Sequence, residues 1–348
     1  MDKQIYLPIT QSRPKKIAFV DIDSTLSSHI EATNVSQLLD HRLTNKARRL
    51  LEERGYIIAF ITSRTEEMLM SIKEYNLSVK KYQLNRPLSR FTKENTPQGT
   101  LDPHIIASST GGKIFVRQGD GGYIEDVSYR NSSLSPFEWR TKTMNLLTKL
   151  NTNGSLFVYS SIEHVEDFHN GSSKVFPPDY RIQIQFRNPA DLISFKKVFK
   201  QYEPELYAIN DSWPQEHKYA LYISPVPGKF EAANRILSMI KKDTNDPLYL
   251  PEILFVGDSL PDIYEAIYST CKTSTLFLVG GSRMTPYLLD PKKNDFVGDD
   301  LKGIKKEMKM VSLGVYEYRH ANRICTIIVS DEKYPGLVGP ESLIEYLS

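Results

Sequence analysis

The chain has 348 residues and a mass of 39.9 kDa, which fits one large domain or two modest ones and allows a substantial buried core. Apolar residues make up 40% and charged residues 25%; with 44 Lys+Arg against 42 Asp+Glu, the formal charge of +2 gives no sign of a nucleic-acid partner. No apolar run approaches the roughly 18 residues of a membrane-spanning helix, and the polar stretch after Met1 carries no secretory segment, so no membrane partner and a cytoplasmic location are expected.

The first strong element is KIAFVDI, Lys16 to Ile22, a β-branched and aromatic run of the kind that fills a buried strand. The loop DSTLSS follows it. Residues 43 to 55, LTNKARRLLEERG, place apolar positions at helical spacing before a Gly stop, and YIIAFITSR returns to strand composition. Strand, helix and strand in this order predict an α/β fold, a parallel sheet flanked by helices.

From about Leu84 to Asp211 the texture changes. Short strand-like runs, HIIASS, GSLFVYSS, RIQIQF and ELYAIN, alternate with Asn, Gly, Ser and Pro turns, with helices predicted over Pro136 to Leu150 and Ala190 to Gln201. We read this as a smaller α+β domain at 85–211 inserted into a discontinuous core, 1–84 and 212–348. The α/β grammar then resumes with the helix GKFEAANRILSMIK, the strand and loop PEILFVGDS, the helix PDIYEAIYS and the strand TLFLVGG. In the tail, LKGIKKEMKMV reads as a helix, RICTIIVS as a further run and ESLIEYLS as a terminal helix. Cys271 and Cys325 are too few for a disulfide framework or a four-cysteine zinc site, and two free thiols fit a reducing compartment better than one bridge.

Chemistry concentrates at strand ends. In DIDST, Asp21 and Asp23 follow a buried run, and carboxylates placed there converge on one site; DxD is also common in surface turns. FVGDSLPD repeats the context with Asp258 and Asp262, although the same acids would serve to cap the next helix. Two such loops favour a shared hard-cation site with oxygen ligands, better suited to Mg²⁺ than to zinc. ITSR places the Thr62 hydroxyl at the end of its strand, and Lys229 opens a helix where its ammonium compensates an anion. Together these are components of phosphoryl transfer.

At these four words the sequence resembles the haloacid dehalogenase-like (HAD) hydrolase superfamily, mostly Mg²⁺-dependent phosphatases. DIDSTL is similar to its first motif, Thr62 of ITSR to its second, Lys229 to its third and GDSLPD to its fourth. The insertion between the second and third motifs resembles the C2-capped branch and, within it, the sucrose-phosphate-phosphatase-like group. The likeness covers about residues 15 to 84 and 216 to 282, with GLVGPESLIEYL similar to the final helix. It implies a Rossmann-like three-layer core with a parallel sheet and an inserted C2-type cap.

The resemblance also implies roles. Asp21 would attack phosphorus and form an aspartyl-phosphate, while Asp23 would act as general acid and base. Thr62 would hold a phosphoryl oxygen and Lys229 would neutralise charge. Mg²⁺ would be held by Asp21, the Asp23 carbonyl and Asp258, with Asp262 supporting the loop or a metal-bound water. The substrate expected is a small phosphorylated metabolite of the sugar-phosphate class. A phosphosugar mutase and a phosphosugar-binding regulator are the alternatives. The turn SSTGGKIF is similar to the segment that begins the cap, which makes Thr110 and Gly111 candidate substrate contacts; a tight structural turn explains Gly111 equally well. Lys113, Gln185 and Arg187 are further candidates for the phosphate or leaving group, against a solvated sheet face as the plain account.

Three features depart from the family pattern. Ser24 stands where Gly is frequent, Pro261 where Asn commonly precedes the last acid, and the stretch from Gly281 to Tyr334 is longer than the usual link. His164 and His169 lack a compact metal-ligand spacing, and Trp139 and Trp213 read as packing anchors. A monomer is expected, with pairing of two chains through the tail as the alternative.

Overall fold

The computed structural model describes residues 16–26, 41–63, 103–118, 123–129, 141–143, 145–147, 159–162, 182–186, 188–210, 219–225, 228–244, 251–290 and 298–348. Strand β1 (Lys16–Val20) is buried on both faces except at its first residue, as its β-branched and aromatic composition requires. Helix α1 (His41–Glu53) leads through Gly55, whose φ of +80° turns the chain, into the wholly buried β2 (Tyr56–Ile61). The chain then adds β3 (Ile105–Ser108), β4 (Lys113–Arg117) and β5 (Tyr123–Glu125) to the same sheet.

A second, four-stranded sheet consists of β6 (Tyr159–Ile162), β7 (Ile182–Phe186), β8 (Tyr207–Asn210) and β9 (Tyr219–Ser224), in the order β6-β7-β9-β8. Its pairings are antiparallel, and helix α2 (Pro189–Tyr202), capped by the Asn188 side chain on the Asp191 amide, packs Leu192, Phe195 and Phe199 against it. The chain returns to the first sheet through α3 (Lys229–Thr244), β10 (Glu252–Gly257), α4 (Leu260–Tyr268) and β11 (Thr273–Leu278). It ends with α5 (Thr285–Leu289), α6 (Gly298–Glu307), β12 (Met308–Ser312), β13 (Val315–His320), β14 (Arg323–Val329), α7 (Ser330–Lys333) and α8 (Pro340–Leu347).

The large sheet has the order β12-β13-β14-β11-β10-β1-β2-β3-β4-β5, parallel from β14 to β3 and antiparallel at both margins. Strand pleating sends Ile17 and Phe19 to one face, where α3 and α4 supply Ala233, Ile236, Ile263 and Ile267. Ala18 and Val20 face the other side, against Leu51 of α1 and Leu343 and Leu347 of α8. Helices on both faces of a mostly parallel sheet match the flanked parallel sheet expected from the alternation in sequence and make a three-layer α/β architecture.

The division between sheets does not coincide with the sequence division at 85 and 211. Ile105 pairs with Ala59 and continues the parallel sheet, so β3, β4 and β5 belong with the core strands, while Tyr219–Ser224 pairs with β7 and β8 in the small sheet. Strand partners are chosen by burial on both faces, which a turn-rich stretch of sequence does not display. The tail also differs from expectation: the helix read over LKGIKKEMKMV ends at Glu307, and MKMVS is an edge strand paired with β13. Of the predicted helix over Pro136 to Leu150, the described residues show helical segments at 141–143 and 145–147. Among the described residues no helix is long and apolar enough to cross a membrane.

Candidate active site

β1 lies between β2 and β10, so chain order reverses there, at the switch point where open α/β sheets bind ligands beyond their strand carboxyl ends. The register Val20↔Val256 brings β1 and β10 to an end at one level, and the Asp21 amide donates to the Val256 carbonyl at 2.9 Å. This pairing sets the two acidic loops side by side. One carboxylate oxygen from each of Asp21, Asp258 and Asp262 lies within 4.8 Å of the others, and all three residues are buried.

Lys229, the first residue of α3, reaches into this trio. Its Nζ lies 2.9 Å from Asp21 Oδ1 and 2.6 Å from Asp262 Oδ1. The second contact has hydrogen-bond geometry, whereas Asp21 Oδ1 has no hydrogen-bond partner despite the ion pair. Asp262 Oδ2 accepts from the Asp258 amide at 3.0 Å, the Ser259 amide at 2.9 Å and the Ser259 hydroxyl at 2.6 Å. Both Asp262 oxygens are therefore engaged in holding the loop and the lysine.

Arg283, just beyond β11, donates from Nε to Asp258 Oδ2 at 2.7 Å and from Nη2 to Oδ1 at 3.3 Å. Ser282 Oγ donates to the Asp258 carbonyl at 2.8 Å. One turn along α4 from Asp262 stands Glu265, 4% exposed, whose charge also acts on Lys229. With all groups ionised, four buried carboxylates face two buried cations, a formal surplus of two negative charges.

Burial pushes the Asp21 carboxyl well above the usual range; Lys229 opposes the shift and the neighbouring carboxylates reinforce it. Asp258 and Glu265 are raised by burial as well, partly countered by Arg283 and Lys229 respectively. Burial alone would favour a neutral Lys229, but Asp21, Asp262 and Glu265 outweigh it and keep the ammonium charged. A buried, unbonded Asp21 oxygen beside Asp258 in an excess of negative charge fits a hard cation held by oxygen donors.

The other predicted residues separate into groups. Asp23 lies in the turn after β1, and its charge acts on Asp21. Ser24, flagged as a departure, adopts φ +59°, the left-handed region that Gly favours. Pro261 is in the first turn of α4, where its missing donor costs the helix nothing. Thr62 is fully buried just past β2, and its carbonyl accepts from the Thr110 amide at 3.0 Å. Ser109 and Thr110 both have positive φ, and Gly111 presses on the start of α3: a Cβ there would meet the Gly228 carbonyl at 3.0 Å and Lys229 Cα at 3.3 Å. Close packing accounts for Gly111. Lys113, expected in the insert, opens β4 of the large sheet and is buried. Gln185 lies in β7, its side chain outside the described residues, as are Arg187, His164, His169, Trp139 and Trp213.

Sequence reasoning missed Arg283, Ser282 and Glu265. Glu265 follows Asp262 by three on a helix, a spacing that places both on one face. GGSR follows a strand in the same way as the two acidic words, yet only the β10–β11 pairing brings Arg283 to Asp258.

Fold and site together define a three-layer α/β protein with an acidic, lysine-bridged centre at the carboxyl ends of its parallel strands. No protein-family model matches the chain, and no curated protein matches it. Several solved structures are similar to the chain at low identity. A haloacid dehalogenase-like hydrolase from B. subtilis is 14% identical with a TM-score of 0.47, the match covering 96% of this chain and all of that one. The sucrose-phosphatase from Synechocystis, solved with sucrose and phosphate, is 14% identical with a TM-score of 0.42 over 84% of this chain and 97% of that one. The C-terminal domain of the C. albicans trehalose-6-phosphate phosphatase is 12% identical with a TM-score of 0.45 over 73% of each chain.

Proposed function

We propose that the chain is a Mg²⁺-dependent phosphomonoester hydrolase that acts on a small phosphorylated metabolite of the sugar-phosphate class through an aspartyl-phosphate. The observation that carries the reading is the buried Asp21 oxygen that accepts no hydrogen bond while the Lys229 ammonium lies 2.9 Å away. A carboxylate kept unbonded beside a cation is disposed to attack a phosphorus centre whose charge the same cation offsets.

In this mechanism Asp21 forms the new bond to phosphorus as the bond to the leaving oxygen breaks, and Asp23 gives that oxygen its proton. A water molecule then attacks the phosphorus of the aspartyl-phosphate, Asp23 takes a proton from it, and Asp21 and inorganic phosphate are released. Lys229 stabilises negative charge on Asp21 and the transferred group in both steps. The Thr62 hydroxyl holds a phosphoryl oxygen from the end of the neighbouring strand. Asp21, Asp258 and the Asp23 carbonyl would hold Mg²⁺, which supplies charge neutralisation at the phosphoryl oxygens. Asp262 keeps Lys229 and the Asp258 backbone in place.

Purified protein incubated with Mg²⁺ and a panel of phosphorylated sugars tests the reading when inorganic phosphate and isomeric sugar phosphates are both measured. Release of phosphate without isomerisation is expected. Isomerisation without net phosphate would make the chain a mutase, and saturable binding without either product would make it a binding protein.

A further inference from the structure

We propose that Arg283 tunes the affinity of the strand-end centre for its divalent cation by remaining on the Asp258 carboxylate as a fixed positive charge. The inference rests on the cation reading above and adds a residue to which that reading assigns nothing.

The guanidinium is held by construction. Its turn is braced on the C-terminal segment: the Gly280 amide donates to Ser342 Oγ at 2.9 Å, the Gly339 amide to the Gly280 carbonyl at 2.8 Å, and the Gly281 amide to Asp331 Oδ1 at 2.7 Å. A Cβ at Gly280 would fall 1.7 Å from the Leu337 carbonyl oxygen, so a larger residue would force the turn and its brace apart. Ser282 Oγ then ties the turn to the Asp258 backbone, and Arg283, 8% exposed, completes the link to its carboxylate. A side chain delivered in this way is a permanent neighbour of Asp258.

The contact is unequal. Nε takes Oδ2 at 2.7 Å, whereas Nη2 is 3.3 Å from Oδ1, at the edge of hydrogen-bonding range. A carboxylate offers about four lone-pair positions, so Oδ1 retains capacity for a cation while Oδ2 is occupied. Two opposing effects follow when both are present. Orientation of a metal ligand by its outer neighbour is worth about 10- to 100-fold in affinity. Repulsion between a guanidinium and a divalent ion on one buried carboxylate, a few ångströms apart, exceeds that range even at an effective dielectric of about 20. Charge therefore outweighs orientation, and Arg283 weakens cation binding.

The test uses the full chain and Mn²⁺ alone as the probe, followed by calorimetric titration and by thermal melting. Arg283→Gln should bind Mn²⁺ at least about tenfold more tightly than the parent, because the repulsion removed exceeds the orientation lost. Without Mn²⁺ the variant should melt lower than the parent, since Asp258 loses its partner, and Mn²⁺ should raise its melting temperature by more. Arg283→Lys keeps the charge without the fork and should bind within about threefold of the parent on the charge account. Equal or weaker binding by the Gln variant overturns the inference. A loss of about tenfold or more in the Lys variant also overturns it, in favour of orientation, and that result stands even if the Gln variant does not fold. Asp258→Asn separates the premise: if the parent and Asp258→Asn bind Mn²⁺ identically, or neither binds, the cation reading itself fails and the inference with it.

Discussion

β1 and β10 run side by side in register, and each ends in an acidic loop, yet the two loops are finished in opposite ways. In the loop after β10 both aspartates are tied down. Asp262 spends both oxygens on Lys229, the Ser259 hydroxyl and two backbone amides, and Asp258 is held at its amide, its carbonyl and its carboxylate. After β1, Asp21 keeps an oxygen without a hydrogen bond, and Ser24 bends the loop through a left-handed conformation that costs about 1–2 kcal/mol for a residue with a side chain. Parallel pairing supplies both loops with the same position, and hydrogen bonding distinguishes the loop that is held from the loop that keeps an oxygen unbonded.

The sharpest way to break this contrast is to neutralise the unbonded side. Asp21→Asn removes the proposed nucleophile and one cation ligand, so phosphate release should fall to background, beyond the ~10²- to 10⁴-fold that acid–base assistance accounts for. Residual turnover above a tenth of the parent rate would remove Asp21 from that role. Next in size is Lys229→Gln, which takes away the ammonium between the two loops. We expect a loss of about 10²- to 10³-fold in kcat, comparable to deleting one transition-state donor, and about 3–5 kcal/mol in stability from the unpaired buried acids. Steady-state kinetics and urea denaturation read the two effects separately.

The two acidic loops are legible in the sequence, and the difference in their hydrogen bonding is not. DIDST and GDSLPD announce themselves because strand composition stops at an acid in each, and a helix opening at Lys229 completes the set. What stayed hidden depends on partners far apart in sequence. Arg283 acquires its place only because β11 lies beside β10, and Glu265 only because α4 turns its polar face to Lys229. β3, β4 and β5 read as part of an insert, since short strands between turns carry no mark of which sheet they join. MKMVS reads as the end of a helix for a different reason: a short run mixing Lys with apolar residues satisfies the helical and the strand period alike.

A smaller effect concerns α3, which carries Lys229. Arg235, two turns along it, forks Asp126 at 2.7 and 3.1 Å and also donates to Ser128 at 2.7 Å, bracing the helix against the segment after β5. Burial alone would raise the Asp126 carboxyl, but the Arg235 and Ser128 hydrogen bonds prevail and lower it. A depressed folded-state value means that the stabilisation is complete above the unfolded value and is lost as pH falls through the folded one. Asp126→Asn should therefore cost about 2 kcal/mol near neutral pH, and its deficit should close below the ordinary aspartate value of 3.8. A deficit that stays constant as the pH is taken well below that value would show that the brace does not depend on the charge.

The smallest effect sharpens the comparison from the β1 side. Ser24→Gly relieves about 1–2 kcal/mol of left-handed strain but gives back about 0.4–1 kcal/mol to the unfolded chain, so stability should rise by no more than about 1.6 kcal/mol. Denaturation of the variant by urea checks the sign.

Whether the unbonded Asp21 forms the proposed covalent intermediate is decided by trapping it. Asp23→Asn, which should form the aspartyl-phosphate faster than it breaks it down, is mixed with Mg²⁺ and an activated aryl phosphate, quenched in acid, digested and analysed by mass spectrometry. One phosphoryl group is expected on the peptide that contains Asp21, absent from an Asp21→Asn, Asp23→Asn double variant. Release of phosphate by the Asp23→Asn protein with no labelled peptide, or with the label on Asp258 or Asp262, would contradict it.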